Sequence, residues 1–118
     1  MIAQEIRGDT YVIEFESETT TFYFKGELSL SGVSKYEPII SLLTEVVDTD
    51  PPILTFNFKE LTFLNSSGIN VLSKFVLGLR KKQGTQLVVL AAANMPWQGK
   101  SLKNLGRLLP SLQFKLEW

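Results

Sequence analysis

Two neighbouring hydroxyl groups, those of Ser66 and Ser67, stand where local structure would give them a chemical role. Asn65 before them is among the best residues for capping a helix N-terminus, and the residues after them repeat with helical spacing. The serines would then occupy the first helical turn, beside unpaired N–H groups and the positive end of the dipole. A phosphate attached there would be stabilised. An ordinary capped helix explains the same pattern, so the residues alone leave both interpretations open.

Catalytic chemistry has little support in the sequence. The chain contains no histidine and no cysteine, which excludes a Ser–His triad and thiolate metal ligands. It has neither a glycine-rich phosphate loop nor a dinucleotide fingerprint. Glu14, Glu16 and Glu18 are close in sequence, but this spacing is more typical of a solvated strand edge than of an acid–base pair. We therefore predict a protein that is not an enzyme and that needs no cofactor or metal.

Hydrophobic periodicity predicts the elements that would position the serines. Residues 53–58 and 86–91 are apolar and bounded by turn signals, as expected of buried strands. Between them, residues 65–82 form an amphipathic helix, so this strand–helix–strand unit should be parallel. The other predicted elements, in chain order, are strands at 9–16 and 20–25, a helix at 35–48, a loop at 94–99, a short helix at 102–109 and a strand at 114–118.

Together these elements predict an α/β fold with helices packed against a central mixed sheet of four to five strands. The predicted order is β-β-α-β-α-β-α, with a possible last strand. A chain of 118 residues suffices for one domain, taken as residues 1–118, without a disulfide or metal. The N-terminus has no secretory signal, and the longest apolar run, residues 87–93, is too short for a membrane span. We therefore expect a cytoplasmic protein.

Charge is distributed unevenly along the chain although it sums to zero. Residues 1–60 contain eleven acidic and four basic residues, a net charge of −7. Residues 61–118 contain one acidic and eight basic residues, a net charge of +7. Two charged faces would guide association with another protein, whereas mixing on the folded surface would cancel them. The basic residues are not interleaved with aromatics, so nucleic acid is not a predicted partner.

The segment Phe63-Leu64-Asn65-Ser66-Ser67-Gly68-Ile69 resembles the signature turn of STAS domains, the family of bacterial anti-sigma factor antagonists and of related domains in sulphate transporters. Gly26-Glu27-Leu28 is similar to the family's Gly-Glu-Leu after the second strand, and the order of elements matches over most of the chain. The family usually has Asp-Ser-Ser-Gly at the turn. Asn65 retains the cap but removes a charge.

The resemblance implies a non-enzymatic partner switch in bacterial transcription control. It implies that Ser66 is phosphorylated, with Ser67 able to substitute or assist, by an ATPase-fold serine kinase that is also the anti-sigma factor. A serine phosphatase would reset the switch. If the kinase requires the aspartate, the domain would instead be a constitutive scaffold or oligomerising module; a module holding a nucleotide or lipid between loop 29–34 and the helix start is a third alternative. The predicted partner-binding residues are Ser31, Gly32, Asn65, Ser66, Ser67, Gly68 and Asn70.

Overall fold

The strands lie side by side in the sheet in the same order as they occur along the chain. The computed structural model describes residues 2–118, so Met1 of the predicted domain lies outside the described residues. The first three strands pair with one another in antiparallel orientation, and the third to sixth strands pair with one another in parallel orientation. In sheet order they are β1 (Ile2–Arg7), β2 (Tyr11–Glu16), β3 (Thr21–Leu28), β4 (Ile53–Leu64), β5 (Gln86–Ala92) and β6 (Gln113–Glu117).

Each parallel connection contains helix. Such crossovers are right-handed in nearly all proteins, and all three step in the same direction across the sheet, so their helices share one face. The opposite face carries no helix from the described residues. The helices are α1 (Glu37–Val47) after a 3-10 turn at Val33–Tyr36, α2 (Ser66–Gly78) before a 3-10 turn at Leu79–Lys81, and then α3 (Pro96–Ser101) and α4 (Leu105–Leu108).

Burial along β4 confirms that the sheet has one covered face. Leu54, Phe56 and Phe58 are fully buried, whereas the alternating Thr55 and Asn57 are half-buried. Alternate residues of a strand point to opposite faces, so the covered face takes the apolar row. Aromatic rings from β3 and β4 meet there, with the centroids of Phe24 and Phe58 4.7 Å apart. This core fixes β4, which leads directly to the serines.

The structure confirms the predicted α/β class and corrects the number of strands to six. β1 was missed because its six residues are almost all exposed, so no buried row alternates with a polar one. The predicted loop at 94–99 is wrong in its last four residues, because Pro96–Ser101 forms α3. The predicted parallel unit of residues 53–91 is confirmed. Within residues 2–118, no helix has both the length and the apolar composition needed to cross a bilayer.

A close backbone contact explains Gly26 in the middle of β3. Its φ is 88°, and a Cβ atom there would lie 2.3 Å from the carbonyl oxygen of Thr10. The register between β3 and β4 shifts on both sides of this residue. The end of β3 and the start of the following loop are therefore positioned by a glycine that no side chain can replace without moving the backbone.

Candidate functional site

Asn65 caps α2 as the sequence predicts. Its backbone is extended, with φ −77° and ψ 173°, and its Oδ1 accepts a hydrogen bond from the Gly68 N–H at 2.9 Å. Its carbonyl oxygen accepts the first helical hydrogen bond, from the Ile69 N–H at 3.0 Å. The N–H groups of Ser66 and Ser67 precede that bond, so they belong to the positive N-terminal end of the helix.

The rest of the Asn65 amide joins α2 to the loop that follows β3. Its Nδ2 donates to the Leu30 carbonyl oxygen at 2.8 Å, and its Oδ1 also accepts from the Tyr36 hydroxyl at 2.6 Å. An aspartate would have no donor for Leu30 and would place two acceptor oxygens against each other. Asparagine rather than the aspartate of the STAS signature is therefore what this junction requires.

Tyr36 is a site residue that sequence reasoning missed. Its side chain is buried, with 1% of its surface exposed, and its hydroxyl accepts from the Leu30 N–H at 3.3 Å while it donates to Asn65. Burial raises the pKa of the Tyr36 phenol above its ordinary value, which keeps the donated proton in place. The signal available in the sequence was a tyrosine at the start of an apolar helical face, since a buried hydroxyl must find a partner.

Gly68 allows this junction to close. A Cβ atom on Gly68 would lie 2.7 Å from the Tyr36 hydroxyl and 2.4 Å from the Leu64 Cδ1 atom. The first contact is with a rigid buried ring, which has no room to retreat. Gly68 is itself buried, so of the predicted binding residues it shapes the site from below rather than offering a surface.

The other predicted binding residues lie on the surface of this junction. Ser66 and Asn70 are exposed on α2, and Ser67 is half-buried. Ser31 and Gly32 are exposed in the loop, next to Leu30, whose carbonyl oxygen Asn65 holds. The structure thus brings loop 29–34 and the start of α2 together. The exposed surface of this junction carries serine hydroxyl groups, and the hydrogen bonds beneath that surface hold it in place.

A second amide junction, missed by the sequence analysis, lies beside β4 between Phe58 and Leu61. Gln98 of α3 is fully buried. Its Nε2 donates to the carbonyl oxygens of Phe58 and Leu61, both at 2.7 Å, and its Oε1 accepts from the Ala92 N–H at 2.7 Å. The pairing of β4 with β5 ends at Asn57 and Leu90, so Gln98 supplies the bonds that the ladder no longer makes. This side chain therefore sets the path of β4 towards Asn65.

A groove of about 470 Å³ runs between α1 and α2. Its floor is apolar, and charged residues stand on both walls. It includes Val33 from the loop but neither Ser66 nor Ser67, so it is separate from the ligand position predicted between the loop and the helix start. The lining residues are Val33, Glu37, Ile40, Thr44, Val47, Asp48, Val71, Lys74, Phe75, Gly78, Leu79, Lys81 and Lys82.

Comparison with known proteins identifies a shared fold. Neither a protein-family profile nor a curated protein sequence matches this chain. The crystal structure of apo-SiaC from Pseudomonas aeruginosa matches with a TM-score of 0.75 at 14% sequence identity, over 100% of each chain. At this identity the likeness establishes the fold and nothing finer. Membership of the STAS family stays a prediction from the residues around Asn65, on a fold that this chain shares with SiaC.

Proposed function

We propose that this chain is a regulatory protein-binding domain and that phosphorylation of Ser66 controls its docking. The supporting observation is the exposed Ser66 hydroxyl in the first turn of a thirteen-residue helix whose cap is tied to loop 29–34. A partner that covers this junction covers the hydroxyl. Binding and modification of Ser66 then exclude each other.

The physics of the junction gives the switch a direction. A phosphoserine carries about two negative charges at neutral pH. In the free domain, the N–H groups and dipole of α2 stabilise those charges. In a docked complex the same charges would lose their hydration without an opposite charge to pair with. The complex is therefore destabilised, and the bound protein is released. The modified domain therefore stays folded and loses its partner.

The resemblance to STAS domains supplies the chemistry of the proposed partners. They are an ATPase-fold serine kinase that binds the unmodified domain and a phosphatase that restores it, acting in the cytoplasm. The kinase would transfer the γ-phosphoryl group of ATP to the Ser66 hydroxyl oxygen, with ADP as the leaving group and with release of the hydroxyl proton. The domain itself provides only the acceptor hydroxyl and its fixed surroundings.

One observation favours a second candidate, a constitutive binding module. Both the oxygen and the nitrogen of the Asn65 amide make hydrogen bonds within the domain, with Tyr36, Gly68 and Leu30. Because residue 65 is an asparagine, it presents no carboxylate to a kinase that recognises the aspartate of the usual STAS signature. In this alternative the same surface docks the partner, and Ser66 remains unmodified.

Mass spectrometry and a matched binding assay separate the two candidates. In protein isolated from its native cells, the tryptic fragment of residues 60–74 should carry phosphate on Ser66, with fragment ions excluding Thr62, Ser67 and Ser73. Partner capture by the unmodified chain should survive Ser66→Ala and fall at least about tenfold with Ser66→Asp, as expected for a buried charge without a partner. Ser111→Asp, the same change at an exposed serine in a distant turn, is the control.

Two results would decide against the switch. Equal capture by Ser66→Asp and Ser66→Ala, with no phosphate on Ser66 across growth conditions, would leave constitutive binding. Equal loss with Ser66→Asp and Ser111→Asp would show that the added charge acts non-specifically and that α2 does not form the docking surface.

A further inference from the structure

The two edges of the sheet are open. β1 has a hydrogen-bonded neighbour only in β2, and β6 only in β5, among the strands of residues 2–118. Both strands are largely exposed, and each presents a row of backbone N–H and C=O groups. Proteins usually block such edges, because they can pair with another strand.

The two open edges point the same way. β1 is antiparallel to β2, and β2 is antiparallel to β3, so β1 runs in the direction of β3. β3 to β6 are all parallel, so β1 and β6 run in the same direction. A second copy, shifted sideways without being inverted, therefore brings its β1 beside β6 of the first copy as one more parallel strand.

On β1, charges occupy the face without helices. Glu5 lies opposite Glu14, and Ile6 lies opposite the buried Ile13. Opposed residues share a face, so Ile6 is on the covered face and Glu5 is on the open one. Arg7 follows on the open face and forms an ion pair with Glu5 at 3.0 Å. The pair is exposed, so solvent screening makes it weak.

On β6, the pattern is the same with the charges reversed. Leu116 lies opposite the buried Ala91 on the covered face, with 54% of its surface exposed. Lys115 and Glu117 therefore lie on the open face. Glu117 pairs with Lys59 at 2.8 Å, and Lys115 has no ion pair with any described residue. The strand thus offers a cation, an exposed leucine and an anion in succession.

The two patterns fit each other in one parallel register. With Lys115 opposite Glu5 of the next copy, Leu116 falls opposite Ile6 and Glu117 falls opposite Arg7. Both charge pairs are attractive, and the exposed leucine is covered by an isoleucine. Opposite charges in facing positions stabilise paired strands, whereas like charges destabilise them.

The charge of the whole chain supports the same arrangement. Because strand order follows chain order, the segment of net charge −7 lies on the β1 side and the segment of net charge +7 lies on the β6 side. α1 adds to the acidic side, since its Glu45 borders Gln4 of β1. The two segments meet in ion pairs, Asp50 with Lys82 at 2.9 Å and Lys59 with Glu117 at 2.8 Å, so their charges cancel in part. Head-to-tail approach of two copies is electrostatically favoured.

We propose that this chain associates with further copies of itself, head to tail, by pairing β6 of one copy with β1 of the next. The contact joins two different surfaces, so it adds copies in series, as an open chain or a ring, and does not form a two-fold dimer. It leaves the start of α2 free, because that junction follows the central strand β4. Self-association and docking at Ser66 are therefore independent, and Ser66→Asp should not alter the former.

Sedimentation equilibrium on the intact chain tests the proposal. At about 50 mM salt, where the Debye length is about 14 Å, the average mass should rise with concentration from about 10 µM to about 1 mM. At about 500 mM salt the association should weaken about tenfold. A constant monomer mass over the whole range at low salt would overturn the proposal.

A charge swap tests which surfaces meet. Glu5→Lys and Lys115→Glu each place like charges across the proposed contact, so each variant alone should associate about tenfold more weakly than the unchanged chain. An equimolar mixture of the two variants restores opposite charges at every contact and should associate like the unchanged chain. Both positions are exposed, so neither change removes a buried interaction.

The control is Lys35→Glu, the same change as Lys115→Glu at an exposed lysine outside both edges. It should retain at least about half of the association of the unchanged chain at equal ionic strength. Equal weakening by Lys35→Glu and Lys115→Glu, or a mixture no stronger than its separate components, would exclude the β6–β1 contact.

Discussion

The junctions around Asn65 and Gln98 use the same chemistry in different surroundings. In each, a side-chain amide makes two hydrogen bonds to residues distant in sequence, Asn65 to Leu30 and Tyr36 and Gln98 to Phe58 and Leu61. Gln98 is fully buried and bonds only to backbone groups and a thioether, whereas Asn65 is half-buried beside the exposed Ser66. The Gln98 junction replaces missing hydrogen bonds of the sheet. The Asn65 junction holds an exposed surface in place.

The difference shows how one strand serves both stability and recognition. β4 passes from the Gln98 contacts at Phe58 and Leu61 to the cap at Asn65 within seven residues. Its path is fixed in the interior, where an unpaired amide would be costly, and its end is presented to solvent. A partner protein can reach the junction at Asn65 but not the buried junction at Gln98.

Breaking the buried junction should have the largest effect on stability. Gln98→Met keeps the length of the side chain but leaves the Ala92 N–H and two carbonyl groups unpaired in the interior. We expect the free energy of unfolding to fall by about 3 kcal/mol, since each unsatisfied buried group costs about 1–3 kcal/mol. Urea denaturation measures it, with Gln83→Met at an exposed glutamine as the control. A loss below about 1 kcal/mol would mean that the Gln98 bonds contribute little net stability.

Breaking the exposed junction should cost less. Asn65→Asp retains the cap and adds a charge that the α2 dipole favours by about 0.3–1 kcal/mol. It also removes the donor to Leu30 and sets two acceptors against each other, at a cost of about 1–3 kcal/mol. We expect a net loss of about 1 kcal/mol in the free energy of unfolding.

The control for this change is Asn70→Asp, an exposed asparagine on the same helix. Hydrogen exchange at the Leu30 amide should quicken in Asn65→Asp and stay unchanged in the control, because only the first loosens loop 29–34. If Asn65→Asp stabilised the chain as much as the dipole alone predicts, the bond to Leu30 would have no energetic role.

The sequence predicts what depends on nearby residues. The cap of α2 was predictable because Asn65 and Gly68 are three residues apart, and the strands of the parallel unit were predictable because their cores are continuous apolar runs. The contacts of Asn65 to Leu30 and Tyr36 join residues 35 and 29 positions apart, and no local spacing encodes them. The Gln98 contacts to Phe58 and Leu61 span 40 and 37 residues. Long-range pairing of polar groups is decided by the assembled fold.

The smallest effect on stability is expected at Ser66, which carries the functional proposal. Its hydroxyl is exposed and makes no hydrogen bond with another described residue, so Ser66→Ala should change the free energy of unfolding by less than about 0.5 kcal/mol. Ser66→Asp should leave it equal or raise it by about 0.3–1 kcal/mol through the helix dipole. Urea denaturation of both variants beside the unchanged chain gives the values.

This near-neutrality makes Ser66 informative where Asn65 is not. A partner lost from Asn65→Asp has two explanations, a loosened loop or an altered contact, because the change reaches both. A partner lost from an equally stable Ser66→Asp has one, the charge on the docking surface. If either Ser66 variant lost more than about 1 kcal/mol, Ser66 would belong with Gln98 among the residues that support the fold, and the contrast between the two junctions would fail.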